Sequence, residues 1–266
     1  MNIKNEHINT GNSGFDFFRF GTGKRPLIVL PGLSIKSILL YKDAVADTLG
    51  LFGDDFEVFV FDRLKEYPPV YTIENMARDY IEAFDSMGLK DISIYGISQG
   101  GMIALTIAIL RPDLVKSMVI GSSAARLPES TKDLFSELLA AAKDKREQDL
   151  IEGFGSKVYS KSFYEAYKDA IVAASANITD SEYERFIIST EKLDEYDVFG
   201  KLGSIKCPVL VMAGSDDEII PKESAIEIAE AMKCELYVFE GYGHAVYDEN
   251  PEFKEKAGEF FRKSLL

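Results

Sequence analysis

One serine in the sequence has surroundings that suit nucleophilic chemistry. Ser98 stands in the stretch ISIYGISQGG, with Gly96 two residues before it and Gly100 two residues after it. A sharp turn between a strand and a helix would expose this hydroxyl, and such a turn leaves room only for small residues at those two positions. An apolar run precedes the serine and a second one, MIALTIAIL, follows it, as a strand, turn and helix require. The five-residue pattern is weak evidence alone, so its partners must be found elsewhere in the chain.

The first partner is a base, because a serine hydroxyl is a poor nucleophile until its proton is removed, and histidine is the usual base. The chain has two histidines, His7 and His244. His7 lies in the polar N-terminal segment, whereas His244 lies in GYGHAVYDENP, between the last predicted strand and the last predicted helix. We therefore predict that His244 is the base.

The second partner is a carboxylate that fixes the histidine tautomer and stabilises the imidazolium. The run GSDDEIIP, directly after an apolar run, offers Asp216, Asp217 and Glu218. Functional groups of an open α/β sheet lie at the carboxyl ends of its strands, which is where this run stands. The residues alone leave the choice among the three carboxylates open.

Short apolar runs alternate with amphipathic segments along most of the chain. Six runs have the composition of strands buried on both faces, at 26–32, 56–62, 92–96, 115–123, 208–214 and 235–241. Helical periodicity separates most of them, at 41–49, 73–87, 102–110, 225–232 and 253–265. This order predicts an α/β fold with a mostly parallel, doubly wound sheet. Residues 11–14 predict the turn of an antiparallel hairpin that leads into the sheet.

The alternation stops between Ala125 and Cys207. Helical patterns cover 131–145, 162–174 and 181–193, with no convincing strand, and the segment is too long for a simple loop. We predict a core formed by 1–125 and 207–266 and a helical cap insertion at 126–206. Its aromatic side chains either line an apolar substrate pocket or, as aromatic residues more often do, pack the cap on the core. They include Phe135, Phe154, Tyr159, Phe163, Tyr164, Tyr167, Tyr183 and Phe186.

The composition is that of a folded, acidic protein. Of the 266 residues, 46% are hydrophobic and 28% are charged, and the formal net charge is −14. Nucleic acids and anionic membranes need a basic face, so this charge argues against both as partners and leaves a small-molecule substrate. Neither a secretory signal nor a membrane span is predicted, so we expect a cytoplasmic protein. The only cysteines, Cys207 and Cys234, lack the spacing of a zinc site and are expected to be reduced thiols.

Four segments together resemble the α/β-hydrolase fold superfamily, in the serine, acid, histidine order of that fold. They are LPGLS (30–34), GISQG (96–100), GSDDEIIP (214–221) and GYGHAVYDENP (241–251). The resemblance selects Asp217, because the acid of the family usually lies three residues after the strand-ending glycine and four before a proline. It also implies an oxyanion hole formed by the backbone N–H groups of Leu33 and Gln99. Ser98 is then the nucleophile and His244 the base.

Two positions depart from the family. Pro31 stands where a histidine usually precedes the glycine of the oxyanion loop, and KEYPP follows FDRL (61–64) where RGxG is common. The first change removes a hydrogen-bonding side chain beside that loop but leaves the backbone donor in place. Neither change removes a catalytic atom.

The resemblance implies a serine hydrolase that works through an acyl-enzyme and needs no metal or organic cofactor. A serine at the turn also sets aside the dehalogenase branch, which uses aspartate there. The leading prediction is a carboxylic-ester hydrolase that acts on a small, fairly apolar ester. The same residues would serve a carbon–carbon hydrolase, thioesterase, lactonase, aminopeptidase or perhydrolase, and the fold could also carry a ligand-binding protein with little turnover. The sequence leaves the substrate and the oligomeric state open.

Overall fold

Eight strands form a single sheet in the computed structural model, which describes residues 2–11 and 13–264. They are β1 (Lys4–Thr10), β2 (Ser13–Phe20), β3 (Arg25–Leu30), β4 (Phe56–Leu64), β5 (Ile92–Ile97), β6 (Val115–Gly121), β7 (Val209–Gly214) and β8 (Glu235–Phe239). Their order across the sheet is β1-β2-β4-β3-β5-β6-β7-β8. β1 and β2 pair antiparallel, β2 pairs antiparallel with β4, and the six strands β3 to β8 are parallel. The predicted mostly parallel sheet is confirmed, with the N-terminal hairpin at one edge.

Helices cover both faces of this sheet. In the described residues they are α1 (Lys42–Thr48), α2 (Ile73–Ser86), α3 (Gln99–Leu110), α4 (Glu129–Lys143), α5 (Glu147–Val158), α6 (Lys161–Ser175), α7 (Asp180–Glu191), α8 (Lys222–Met232), α9 (Val246–Glu249) and α10 (Pro251–Lys263). Apolar side chains of α2, α3 and α8 belong to one buried cluster, and those of α1 and α10 belong to another. The sheet is therefore doubly wound, as predicted. Asn12 in the predicted turn and Leu265 at the predicted end of the last helix lie outside the described residues.

Four helices, α4 to α7, lie between β6 and β7, where three helical patterns were predicted. The helix missing from the prediction is α5, whose sequence EQDLIEGFGSKV contains two glycines that weaken its helical signal. Gly155 is in close contact with its neighbour, since a Cβ there would lie 3.1 Å from the ring of Tyr164 in α6. An alanine there would require the Tyr164 ring to shift by a few tenths of an ångström.

The helices of this segment also pack on the loop that follows β3. Leu33 and Ile35 of that loop share a buried cluster with Leu138, Ile151 and Phe186 of α4, α5 and α7. The predicted aromatic residues differ widely in exposure, because Phe186 is 1% exposed and Tyr167 is 54% exposed. Packing therefore accounts for some of these rings and not for others.

The two cysteines are free, partly buried thiols next to neighbouring strands β7 and β8. Burial raises the pKa of both Cys207 and Cys234 to about 11, so both stay protonated near neutral pH. Nowhere in residues 2–11 and 13–264 is there a helix both long and apolar enough to cross a membrane.

Candidate active site

Ser98 occupies the turn between β5 and α3 and has a strained backbone, with φ +52° and ψ −122°. Its N–H donates to the carbonyl of Gly121 at the end of β6, at 2.8 Å. Its own carbonyl accepts from the N–H groups of Gly101 (2.8 Å) and Met102 (3.2 Å) and from the hydroxyl of Ser123 (2.7 Å). Four hydrogen bonds thus hold a conformation that a serine would otherwise avoid. Such strain, held in place by its surroundings, is characteristic of functional sites.

The glycines on either side of Ser98 allow this turn to pack tightly. A Cβ on Gly96 would lie 2.7 Å from the carbonyl oxygen of Gly100, and a Cβ on Gly100 would lie 2.0 Å from the carbonyl oxygen of Leu30. Both distances are shorter than any real contact of a carbon with an oxygen. The steric reason for glycine at these positions is therefore present in the structure.

The loop after β8 brings His244 to Ser98. The Nε2 atom of His244 lies 2.9 Å from the Oγ atom of Ser98, and its Nδ1 atom lies 2.8 Å from the Oδ2 atom of Asp217. An ionised carboxylate only accepts, so Nδ1 carries the proton and Nε2 is left to accept from the serine hydroxyl. The three side chains predicted to act together are thus joined in one hydrogen-bonded line.

This line is shielded from water at its acidic end. His244 is 4% exposed and the side chain of Asp217 is fully buried, whereas Ser98 is partly exposed and open to a reactant. In such a low-dielectric setting a carboxylate next to an imidazole stabilises the imidazolium more than it would in water.

The other two candidate carboxylates have different partners. The Oδ1 atom of Asp217 accepts from the backbone N–H groups of Ile219 and Ile220, both at 2.8 Å, so the carboxylate is fixed by its own turn. Asp216 accepts from the hydroxyl of the preceding serine at 2.6 Å, and Glu218 forms an ion pair with a lysine of α5. Of the three, Asp217 is the one that reaches His244.

The histidine loop is anchored to both the sheet and the helical segment. The hydroxyl of Ser122, after β6, donates to the carbonyl of His244 at 2.8 Å, and the N–H of Ala245 donates to the carbonyl of Val158 in α5 at 2.8 Å. The ring of Tyr247 meets the imidazole edge-on, with 6.4 Å between ring centroids. Burial raises the pKa of Tyr247 well above its ordinary value, so it packs there as a neutral ring.

The loop after β3 passes directly beside Ser98. A Cβ on Gly32 would lie 3.0 Å from the Cβ atom and 3.5 Å from the Oγ atom of Ser98. Leu33 is next in this loop, and Gln99 is the first residue of α3, whose N-terminus carries a positive partial charge. Within residues 2–11 and 13–264, the backbone N–H groups of Leu33 and Gln99 have no protein acceptor. Both donors are therefore available to an oxygen atom of a bound molecule.

One side chain in this loop's surroundings was not singled out by the sequence. Arg63, at the end of β4, donates to the carbonyl oxygens of Gly32 and Ser34 and to the hydroxyl of Ser34. The parallel pairing of Val29 with Val60 brings Arg63 level with Gly32 three residues further along. The contact between Arg63 and Gly32 could be found only from the strand register, because the two residues lie 31 positions apart in the chain.

One cavity, of about 210 Å³, lies away from Ser98, between α2, α3 and the segment 192–201. A smaller one lies between the loop after β3, the end of β4 and α7. In the described part of the chain, no group of three His, Cys, Asp or Glu side chains is placed to hold a metal ion.

Comparison with known proteins agrees with this fold. Residues 54–251 match the family described as the alpha/beta hydrolase fold. The chain is 28% identical over 219 residues to a putative carbamate hydrolase RutD of Pseudomonas savastanoi pv. phaseolicola, covering 75% of this chain and 81% of the relative. It is 25% identical over 183 residues to 3-oxoadipate enol-lactonase 1 of Acinetobacter baylyi, covering 68% and 67%. It resembles the crystal structure of MGS-M2, an alpha/beta hydrolase from a Medee basin deep-sea metagenome library, with TM-score 0.86, 22% identity and coverage of 96% and 97%. The chain is therefore a hydrolase that belongs to the alpha/beta hydrolase fold family.

Proposed function

We propose that the protein hydrolyses small, fairly apolar carboxylic esters through an acyl-enzyme formed on Ser98. The observation that carries this proposal is the hydrogen-bonded line from Ser98 through His244 to Asp217, with links of 2.9 and 2.8 Å. An activated serine beside two unpaired backbone donors is the combination that acyl transfer needs.

In the first half-reaction, His244 takes the proton of Ser98 while the serine oxygen attacks the ester carbonyl carbon. The carbonyl oxygen becomes an oxyanion, which accepts hydrogen bonds from the N–H groups of Leu33 and Gln99. The carbon–oxygen bond to the alcohol then breaks, and the alcohol leaves with the proton held by His244. Asp217 stabilises the imidazolium throughout and does not itself become protonated.

In the second half-reaction, a water molecule takes the place of the alcohol. His244 accepts a proton from this water, whose oxygen attacks the acyl carbon, and the same two N–H groups hold the second oxyanion. The bond to Ser98 breaks, the serine recovers its proton from His244, and the carboxylic acid is released. The cycle uses only residues of this chain and water.

We propose that residues 126–206 act as a cap that shapes the acyl pocket. The shared packing of Leu33 with Phe186 supports this role, because it sets apolar side chains of the cap against the loop that carries one oxyanion donor. An apolar wall beside the reacting carbonyl favours an apolar acyl group and disfavours a charged one.

A second candidate is the hydrolysis of a carbamate or a lactone. The relatives at 28% and 25% identity bear the names putative carbamate hydrolase and 3-oxoadipate enol-lactonase, and both bonds present a carbonyl that the same serine could attack. A ligand-binding protein with little turnover is less well supported, because it would need neither the line of hydrogen bonds nor the unpaired donors.

Turnover of a substrate panel tests the proposal. The panel comprises p-nitrophenyl esters with acyl chains of increasing length, an aliphatic lactone and an aryl carbamate, each with the native protein and with Ser98→Ala. We expect multiple turnovers that are fastest with short acyl chains and are lost in Ser98→Ala. Folded protein that turns over none of these compounds would contradict the proposal. A single stoichiometric burst with no further turnover would favour the ligand-binding alternative.

A further inference from the structure

Arg63 holds the peptide group that carries one of the two proposed oxyanion donors. Its guanidinium donates to the carbonyl oxygen of Gly32, to the carbonyl oxygen of Ser34 at 3.2 Å and to the hydroxyl of Ser34 at 2.6 Å. The residue between these two carbonyls is Leu33. The carbonyl of Gly32 and the N–H of Leu33 belong to the same peptide group, so Arg63 binds one end of the dipole whose other end is the donor.

The direction of that N–H follows from the direction of the carbonyl. The structure contains no cis peptide bond among the described residues, and in a trans peptide the C=O and N–H bonds point in opposite directions. Because the carbonyl of Gly32 points at Arg63, the N–H of Leu33 points away from it. Rotation of this peptide group would break its hydrogen bond to the guanidinium, which the two bonds to Ser34 hold in place, so the donor is fixed before any substrate arrives.

The positive charge of Arg63 lies next to the Gly32–Leu33 peptide group. Among the described residues Arg63 forms no ion pair, and the neighbouring carboxylate of Asp62 accepts instead from the hydroxyl of Ser37. A guanidinium stays charged at all working pH values. A cation bound to a peptide carbonyl draws electron density from the N–H, and hydrogen bonds in series strengthen one another.

We propose that Arg63 is a positioning residue that orients and polarises the Leu33 N–H, in place of the histidine that Pro31 displaces from this loop. This inference rests on the proposed function, because it assumes that an oxyanion forms beside Ser98. Arg63 does not touch the reacting atoms. Its effect reaches the oxyanion through the Gly32–Leu33 peptide alone, so it should change the stability of the transition state more than the binding of the ester.

The test compares Arg63→Met and Arg63→Lys with the native protein. The control is Arg78→Met, because Arg78 is an exposed arginine of α2 that pairs with Glu74 and lies outside the proposed site and cap. Three quantities are measured: kcat and KM for p-nitrophenyl acetate, the inhibition constant of an alkyl trifluoromethyl ketone, and Tm. The ketone forms a tetrahedral adduct with an oxyanion, so its affinity reports on the oxyanion hole without turnover.

We expect Arg63→Met to lower kcat about 10- to 100-fold with less than about a threefold change in KM. That loss is smaller than the roughly 100- to 1,000-fold that removal of a whole oxyanion donor produces, because the N–H itself remains. The ketone should lose affinity by the same factor as kcat/KM. Arg63→Lys, which keeps the charge but has a single donor nitrogen, should recover part of the loss, and Arg78→Met should match the native protein.

A purely structural role would give a different result, with lower Tm and higher KM but an unchanged ratio of ketone affinity to substrate affinity. That result would overturn the inference, as would Arg63→Met with native kcat and native ketone affinity. If Arg63→Met does not fold, the same test is made with Arg63→Lys: an unchanged ratio of ketone affinity to substrate affinity would overturn the inference, and a lower ratio would support it. If the native protein hydrolyses no ester and Ser98 does not react, the proposed function itself fails. If the native protein is active and Arg63→Met has the same kcat and ketone affinity, only the role of Arg63 fails.

Discussion

Replacing Asp217 with asparagine should separate activity from stability, because the surroundings of this side chain fix which way the new amide points. The Oδ1 atom of Asp217 accepts from two backbone N–H groups, those of Ile219 and Ile220, both at 2.8 Å. The amide oxygen of the substituted side chain must take this place, since an NH2 group there would face two donors. The NH2 group then faces the Nδ1 atom of His244, where the carboxylate oxygen now lies at 2.8 Å.

An NH2 group cannot accept the Nδ1 proton, so His244 would adopt the tautomer with its proton on Nε2. That atom faces the Ser98 hydroxyl at 2.9 Å and could then no longer take its proton. In a serine protease the equivalent change lowers kcat about 10⁴-fold, which is about 5 kcal/mol of transition-state stabilisation. We expect a similar loss here. Stability should change by less than about 1 kcal/mol, because every buried polar group keeps a partner.

Asp217→Ala provides the contrast, because it leaves two buried N–H groups without an acceptor. It should lose activity to a similar extent and also lower the free energy of unfolding by about 2–4 kcal/mol, at roughly 1–2 kcal/mol for each group. The matched control is Asp216→Asn, at the neighbouring carboxylate that bonds only a serine hydroxyl. It should leave both quantities near the native values.

The assays are steady-state hydrolysis of p-nitrophenyl acetate and urea unfolding followed by circular dichroism. Asp217→Asn that kept more than about a tenth of native kcat would refute the tautomer argument. So would a loss of activity that tracked the loss of stability across the three variants, because that would mean that Asp217 serves only the fold.

Three further predictions follow from other contacts in the structure. Gly100→Ala should lower the free energy of unfolding by about 3 kcal/mol and reduce activity, because its Cβ would lie 2.0 Å from a carbonyl oxygen of β3; a native unfolding curve would contradict this. Cys207 and Cys234, whose pKa values burial raises to about 11, should react slowly with a disulfide reagent at pH 8 and completely after unfolding. Rapid native-state labelling would show that the thiols are not so buried. Lys36→Met should lower the free energy of unfolding by about 1–3 kcal/mol, because Lys36 donates to Glu182 at 2.9 Å and both side chains are only 12% exposed. Unchanged stability in a calorimetric experiment would contradict this prediction.

The parallel core could be predicted from sequence because its strands are buried on both faces. Each such strand appears as an uninterrupted apolar run, and all six predicted runs became strands, from β3 to β8. The hairpin of β1 and β2 was predicted from its turn residues. Helix α5 was missed because its two glycines lower its helical propensity, and its stability comes from packing against α4 and α6 that no local pattern records.

Some residues of the site could likewise be predicted from local motifs, whereas others depend on contacts between distant parts of the chain. Ser98, Asp217 and His244 each follow a predicted strand. Short motifs mark Ser98 and His244, whereas the choice of Asp217 over Asp216 and Glu218 came from the resemblance to the family. That they meet depends on strand order, which the alternation of elements constrains. Arg63 carries no motif, and its contact with Gly32 arises from the pairing of β4 with β3. The substrate could not be predicted, because no motif marks residues 126–206, which we propose to shape the acyl pocket.

Covalent labelling with a fluorophosphonate tests the central claim, that Ser98 is a nucleophile activated by His244, most directly. The native protein, Ser98→Ala and His244→Ala are each treated with the reagent and digested, and the modified peptide is identified by mass spectrometry. We predict one adduct per chain on the peptide that contains Ser98, no adduct in Ser98→Ala, and labelling slowed at least about 100-fold in His244→Ala. Labelling that persists in Ser98→Ala, or an adduct on any other residue of the native protein, would contradict the claim.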